Sequence, residues 1–327
     1  MNRYASRYSL VALLAAFLLA AAGMAQAQTW PSRPIKIICP FPPGGIADIY
    51  ARLIAQRFTE IWSQPALVEN RAGAGGNIAA EAVARSAPDG YTLVMGSIGT
   101  HAINSILFSK LPYDPVKDFA PVAMVLEAEG LLVVHPSMQA NNVAELIAFA
   151  RVNPGKLTYA SAGMGTASHL AGELFKSMAK IDITHVPYKG NVPAIADLMG
   201  GQTSMMFATM PTVLPQSKAG KLKSVAVIGA VRSTALPELP TVAEAALPGF
   251  EVNNWIALFA PAGTPHDVIT KLNAEVQKIM LSAEIQRRLP ADGARFVPTT
   301  PEELGAFARG EIAKWTPVLK AAGVKAD

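Results

Sequence analysis

The chain has 327 residues, 51% hydrophobic and 16% charged, with a formal charge of +4 at neutral pH. That length accommodates two domains. The absence of any Lys/Arg run or basic–aromatic stripe excludes nucleic acid as the expected partner, and a single cysteine excludes an internal disulfide.

Residues 1–27 read as a cleavable secretory signal. Arg3 and Arg7 precede an apolar run over 10–22, and Ala25-Gln26-Ala27 is a small-x-small cleavage site, so the mature chain is expected to begin near Gln28. Removing this segment takes away two arginines and no acid, lowering the formal charge from +4 to +2. No later segment is apolar enough to predict a membrane span, so the mature protein is expected to be soluble.

The first predicted strand, Ile35–Cys39, is β-branched and, apart from Lys36, apolar, as a largely buried strand should be. Cys39 within it reads as a buried, inert thiol, and it lies too far from the cleavage site to anchor a lipid. The turn that follows holds Phe41, Pro42, Pro43, Gly44 and Gly45, and a helix opens at Ile46 with Ile49, Tyr50, Leu53, Ile54 and Phe58 at helical spacing. Helix-start amides beside a glycine turn attract small anions. The plain alternative is a turn that closes a core. Asp48, in the first helical turn, either caps its helix or contacts a ligand.

Strands are predicted next over 66–69 and 91–96, with a glycine turn over 70–77 and a helix over 78–86 between them. Ser97 and Thr100 fall at the carboxyl end of the second, and 112–121 is an irregular connection. Strands over 122–126 and 131–134 flank residues 127–130, a crossing into a second domain. That domain is predicted to contain a helix over 142–153, a strand over 157–161, a turn at Ala162-Gly163-Met164-Gly165-Thr166, and a helix carrying Ser168, His169 and Leu170. Further strands over 183–186, 203–207 and 224–227 follow, with Tyr188, Ala208 and Thr209 at or near strand ends, and a helix over 192–199. Residues 250–259 cross back, and helices over 265–282, 283–289 and 301–323 complete the chain. Residues 28–128 with 254–327 are expected to form one domain and 129–253 the other. The alternation predicts α/β layers with largely parallel strands.

Two strand–glycine turn–helix units, 40–48 and 161–169, fall one in each domain, and neither turn contains Lys or Arg. A ligand held between them meets neutral donors and helix dipoles, which suit a carboxylate, in part through water. Other chemistries fit less well. Residues 73–78 lack the third glycine of a dinucleotide fingerprint, and no acid ends the next strand. Tyr159-Ala160-Ser161-Ala162-Gly163 misses the first glycine of a nucleophile elbow. A serine hydrolase using Ser161 with His169 or His185 is the enzymatic alternative, and Ser161 as a turn hydrogen-bonder is the simpler reading. The five histidines have no metal-ligand spacing, so no metal or cofactor is expected; His169 stands out by following the second turn. Tyr188 is read either as a phenol donor in the cleft or as a packed aromatic, and Trp62, Trp255 and Trp315 as packed side chains.

The ordered motifs resemble one family across nearly the whole mature chain. They are Phe41-Pro42-Pro43-Gly44-Gly45-x-x-Asp48-x-x-Ala51-Arg52, Asn70-Arg71-x-Gly73-Ala74-Gly75-Gly76, Pro88-Asp89-Gly90-Tyr91-Thr92-Leu93, Tyr113-Asp114-Pro115-x-x-Asp118-Phe119, Ser161-Ala162-Gly163-x-Gly165-Thr166, His185-Val186-Pro187-Tyr188-Lys189-Gly190, Leu239-Pro240-Thr241-Val242-x-Glu244 and Ala260-Pro261-Ala262-Gly263-Thr264-Pro265. The chain resembles the Bug/TctC family of extracytoplasmic solute receptors. The resemblance implies a two-lobed, type II-like periplasmic binding protein. Each lobe is a mostly parallel sheet flanked by helices, with two crossover strands at the hinge. It implies a monomer without enzymatic activity that holds a carboxylate with residues 41–45 and 162–169, partly through water. It also implies delivery to a membrane permease of the tripartite tricarboxylate type. Ligands in the family range from dicarboxylates and citrate to acidic amino acids and aromatic acids. A ligand-sensing partner of a membrane signalling receptor is a further alternative.

Overall fold

β1 (Ile35–Cys39) buries Ile35, Ile37, Ile38 and Cys39 and pairs in parallel with both β2 (Ala66–Asn70) and β3 (Thr92–Ser97). The coordinates are a computed structural model describing residues 30–321 and 323. The signal segment expected over residues 1–27 lies outside the described residues. α1 (Ile46–Trp62) packs Tyr50, Ile54 and Phe58 inward and ends where Ser63 turns left-handed, φ 52°, and donates its N–H to Thr59 O. Each such fully buried apolar side chain contributes about 1.5–3 kcal/mol. A short 3₁₀ turn (Ala74–Gly76) leads into α2 (Asn77–Ala84), and a π-turn (Gly99–Ile103) follows β3 and runs into α3 (Asn104–Leu107).

β4 (Phe119–Ala128) leaves the first sheet, and after Glu129 alone β5 (Gly130–Val134) enters the second. The second lobe then runs α4 (Val143–Val152), β6 (Thr158–Ser161), α5 (Ala167–Ala179), β7 (Thr184–Pro187), α6 (Asn191–Met199), β8 (Met205–Thr209), α7 (Met210–Lys218), β9 (Lys223–Val227) and α8 (Val242–Ala245). β10 (Asn254–Pro261) returns to the first sheet, followed by α9 (His266–Met280), α10 (Ala283–Ala291), β11 (Ala294–Arg295) and α11 (Pro301–Ala321). The strand orders are β11-β4-β10-β3-β1-β2 and β7-β6-β8-β5-β9.

The result is a two-lobed α/β fold. Both sheets are mixed. In the first, β10 pairs antiparallel with β3 and β4, and β11 antiparallel with β4; in the second, β5 pairs antiparallel with β8 and β9. The remaining strands of each sheet share one direction. The reversals of β5 and β10 follow from the crossings, because both enter their sheets from the opposite lobe. The two crossings run side by side: Ile228 N–H donates to Gly130 O at 2.9 Å, and Val252 N–H to Ile228 O at 2.9 Å. A Cβ on Gly130 would lie 2.5 Å from Ile228 Cδ1, so a larger residue there requires the Ile228 side chain to move. Cys39 is fully buried, and burial pushes its thiol up to about 12. Trp255 and Trp315 are buried, whereas Trp62 is half-buried against Phe58. Among the described residues no helix is long and apolar enough to cross a membrane.

Candidate ligand-binding cleft

The turn after β1 is held from behind. Gly44, at φ +88°, donates its N–H to Asp48 Oδ2 at 3.0 Å. Asp48 also accepts from Arg52 Nε at 3.1 Å and from Asn70 Nδ2 at 2.8 Å, and Asn70 Nδ2 donates to Phe41 O at 2.9 Å. Burial would raise the Asp48 carboxyl, but the Arg52 guanidinium, the Gly44 N–H and the Asn70 amide outweigh it and hold it below its ordinary value. Neither role expected for Asp48 is what the structure gives. Gly45 is the N-cap residue, and Asp48 is 3% exposed and does not line the cleft. Asp48 sits one turn in, reaches back, and takes the Gly44 amide out of play. The amides that remain are those of Gly45, Ile46 and Ala47, the last two lacking an acceptor because the helix has no preceding turn.

The second turn uses up most of its own donors. Ala162 N–H donates to Ser168 Oγ at 2.8 Å, Gly163 N–H to Ser161 Oγ at 3.1 Å, Gly165 N–H to His169 Nδ1 at 3.2 Å, and Thr166 N–H to Gly163 O at 3.3 Å. Thr166 Oγ1 donates to Gly163 O at 2.7 Å, so in its 3.0 Å contact with Ser168 Oγ the serine is the donor. The hydroxyl hydrogens are therefore engaged as well. The donors left to a ligand are the first-turn amides of α5, at Ala167 and Ser168, both on the cleft wall.

His169 is 2% exposed, accepts at Nδ1, and stacks on His185 at 4.5 Å between ring centroids. Burial lowers both imidazoles, and with the neighbouring His169 it brings His185 to about 3, so both rings are neutral. His169 thus shapes the turn from inside and does not line the cleft. His185 Nε2 lies 2.6 Å from Ser161 Oγ, the pair a hydrolase would need. Ser161, however, is 0% exposed and off the cleft wall, and among the described residues no carboxylate hydrogen-bonds His185.

Both helix starts border one cleft, with about 760 Å³ of atom-free space counted to its open mouth. Its apolar wall includes Phe41, Pro42, Phe207, Ile228, Val252 and Ile256, and its polar groups are Ser97, Thr166, Ser168, Asn191, Thr209 and Asn254. Among the described residues no Asp, Glu, Lys, Arg or His lines it. Of the other expected residues, Ala162 and Ala208 are on the wall, Pro43 and Gly44 are exposed outside it, and Thr100 lies beneath it, its Oγ1 accepting from Ser97 N–H at 3.0 Å. Gly163, Met164 and Tyr188 line a neighbouring cavity instead. Tyr188 Oη donates to Asp197 Oδ2 at 2.8 Å, so the phenol expected in the cleft is tied to its own lobe.

Sequence reasoning missed the crossing residues Ala128, Gly130, Ile228, Val252, Asn254 and Ile256, because nothing in an apolar crossover strand says which face it turns to a cleft. It also missed Asn191 and Val192. The signal for those was present: Gly190 opens a third helix after a strand end.

The lobes touch across the cleft through glycines. A Cβ on Gly99 would lie 2.6 Å from Gly165 O, and one on Gly190 would lie 2.7 Å from Pro42 Cδ. Added methyls on Gly75 and Gly165 would collide with Met164 O and Asn104 Oδ1 respectively.

Residues 50–324 match the profile of the family described as "Tripartite tricarboxylate transporter family receptor". Among solved structures the chain is similar to an R. palustris protein with adipate (TM-score 0.88, 39% identity, 90% of this chain and 99% of that one). It is also similar to the periplasmic binding protein BugD (TM-score 0.86, 33% identity, 90% and 99%). A third likeness is to MatC from Rhodopseudomonas palustris with bound malate (TM-score 0.85, 37% identity, 89% and 100%). With these sheets, this charge-free cleft between two helix starts and these relatives, the chain belongs to the Bug/TctC family of receptors of tripartite tricarboxylate transporters.

Proposed function

We propose that this protein is a non-enzymatic periplasmic receptor. It captures a small organic carboxylate between its lobes and delivers it to a membrane permease of the tripartite tricarboxylate type. The lobes are residues 28–128 with 254–327, and 129–253, and the receptor works as a monomer. The observation that carries this reading is one cleft bordered by two helix starts, with first-turn amides at Ile46 and Ala47 on one side and Ala167 and Ser168 on the other, and with no charged side chain among the described residues that line it. A carboxylate between them is stabilised by dipoles and amide hydrogen bonds. The adipate and malate held by two relatives are acids of this kind. A ligand bridging both sides favours the closed arrangement of the lobes.

The test is thermal denaturation and calorimetry against adipate, malate, succinate, citrate, benzoate, aspartate and glutamate. A true ligand at a hundred times its Kd stabilises the fold by about 2.7 kcal/mol. A panel without a single shift refutes the reading. The Ser161–His185 contact of 2.6 Å favours hydrolysis as a second reading. Labelling by a fluorophosphonate, lost in Ser161→Ala, would support it; burial of Ser161 predicts no labelling.

A further inference from the structure

Asn104, the first residue of α3, is completely buried in the first lobe and does not line the cleft. Its Nδ2 donates within that lobe, to Gly75 O at 3.3 Å and to Asn77 Oδ1 at 2.5 Å. Gly75 O can only accept, so the amide nitrogen must face it and the carbonyl must face the other way. The other way is the second lobe. A Cβ on Gly165 would overlap Asn104 Oδ1, so that oxygen lies over the Gly165 α-carbon.

The second lobe brings no donor to it. Gly165 presents only its methylene, because its one N–H donates to His169 Nδ1 at 3.2 Å. Met164 presents a carbonyl oxygen, and that oxygen lies against Gly75. Asn104 Oδ1 is accordingly buried with no hydrogen-bond partner among the described residues. Buried carbonyls are paired in the great majority of folded proteins, and one left unpaired forfeits its hydration without return. Here the loss belongs to the contact between lobes. When the lobes part, Gly165 withdraws and water can reach Oδ1. The amide then opposes closure while its nitrogen supports the first lobe.

We propose that Asn104 holds the ligand-free receptor open. Its carbonyl is an uncompensated acceptor in the closed arrangement alone, so the closed state fills when a ligand supplies the difference. Asn104 is a positioning residue: it touches no ligand, and it sets how much of the ligand's intrinsic affinity is observed. This inference rests on the carboxylate-receptor reading above and goes beyond it.

The experiment compares the wild-type protein with Asn104→Leu and Asn104→Asp, by small-angle scattering without ligand and by calorimetry with the tightest acid of the panel. Wild-type protein without ligand should scatter as a more expanded particle than the closed coordinates. Asn104→Leu removes the acceptor at similar volume. It should be more compact without ligand and bind roughly 5- to 150-fold more tightly, while the lost amide bonds lower only its melting temperature. Asn104→Asp puts a charge where the closed lobes would bury it and should bind at least about tenfold more weakly. A merely structural role would weaken binding in both variants. The inference is overturned, and the receptor reading stands, if ligand-free wild-type protein is already as compact as the closed coordinates, if Asn104→Leu binds no tighter than wild type, or if Asn104→Asp binds as well. If no acid binds, the receptor reading falls and the ligand-free scattering still decides this inference. The wild-type curve decides it even if neither variant folds.

Discussion

The substitution Gly99→Ala separates closure of the lobes from the stability of the fold. Gly99 begins the π-turn after β3 and has no left-handed φ, so alanine suits its backbone and by propensity is better there by up to about 1 kcal/mol. Within its own lobe the new methyl has room, its nearest neighbour being Ser97 Oγ at 3.5 Å. Across the cleft it would stand 2.6 Å from Gly165 O, inside the 3.0 Å that Cβ contacts essentially never breach, and that atom is backbone. The lobes must separate locally by several tenths of an ångström, and overpacking of this kind costs about 1–3 kcal/mol. Only the closed arrangement bears that cost. Ligand affinity should therefore fall by roughly 5- to 150-fold while the ligand-free melting temperature holds or rises. Calorimetry with the tightest acid of the panel gives the Kd. Small-angle scattering with and without that acid gives the compaction, which should shrink in the variant. Wild-type affinity in Gly99→Ala would refute the argument that backbone contact between Gly99 and Gly165 limits closure.

Burial sets the His185 imidazole near 3, below its ordinary 6.5, so the unfolded chain takes up a proton that the folded one refuses. This contribution to stability is complete above pH 6.5 and is lost as pH falls towards 3. His185→Gln should flatten the urea-measured stability slope over that window by about 1.4 kcal/mol per pH unit, and an unchanged slope would count against it. Tyr188→Phe should leave ligand affinity unchanged, because the phenol is engaged with Asp197, and should cost about 1 kcal/mol in denaturant stability; a tenfold affinity loss would contradict that. Cys39 should resist iodoacetamide at pH 8 in the native protein and react fully in urea, as mass spectrometry would record. Gly310→Ala, on an exposed stretch of α11 with nothing within 4 Å of the added methyl, should stabilise the protein by about 0.5–1 kcal/mol without touching binding.

The elements most legible in sequence were those whose signal is local. β1 runs over Ile35–Cys39 as its apolar run and bounding prolines require, and Asn142 caps α4 by accepting from Glu145 N–H at 2.8 Å. α7 has no counterpart among the predicted elements, and it carries two prolines, Pro211 and Pro215. Pro211 sits in the first turn, where a missing N–H costs nothing. The strand expected over 203–207 lies two residues later, at Met205–Thr209, which makes Thr209 the N-cap of α7 and a wall of the cleft. The site was legible as two turns but not as donors. Counting glycine-turn amides takes no account of Asp48, Ser161, Ser168 and His169, each of which occupies one. Those acceptors come from side chains a turn of helix onward or at the end of the preceding strand, and sequence does not say where they point. The Tyr188–Asp197 bond fails for the same reason.

The distribution of donors bears on how such a receptor would couple binding to closure. Ile46 and Ala47 start a helix in the first lobe, and Ala167 and Ser168 start one in the second. A carboxylate docked on either alone keeps part of its charge facing water, and the lobe gains only the roughly 0.3–1 kcal/mol of a single exposed helix end. With both in contact, water is excluded and each dipole acts in a lower dielectric, where the same geometry is worth more. The ligand's preference for the closed state is then the second helix start plus that gain, and a shift in population can be no larger than this difference. A fixed arginine or lysine in one lobe would work against it, since it would bind the acid tightly whether or not the lobes had met. An uncharged cleft leaves binding energy available chiefly on closure, and small rim residues such as Gly99 and Gly165 let the backbones come close enough to secure it.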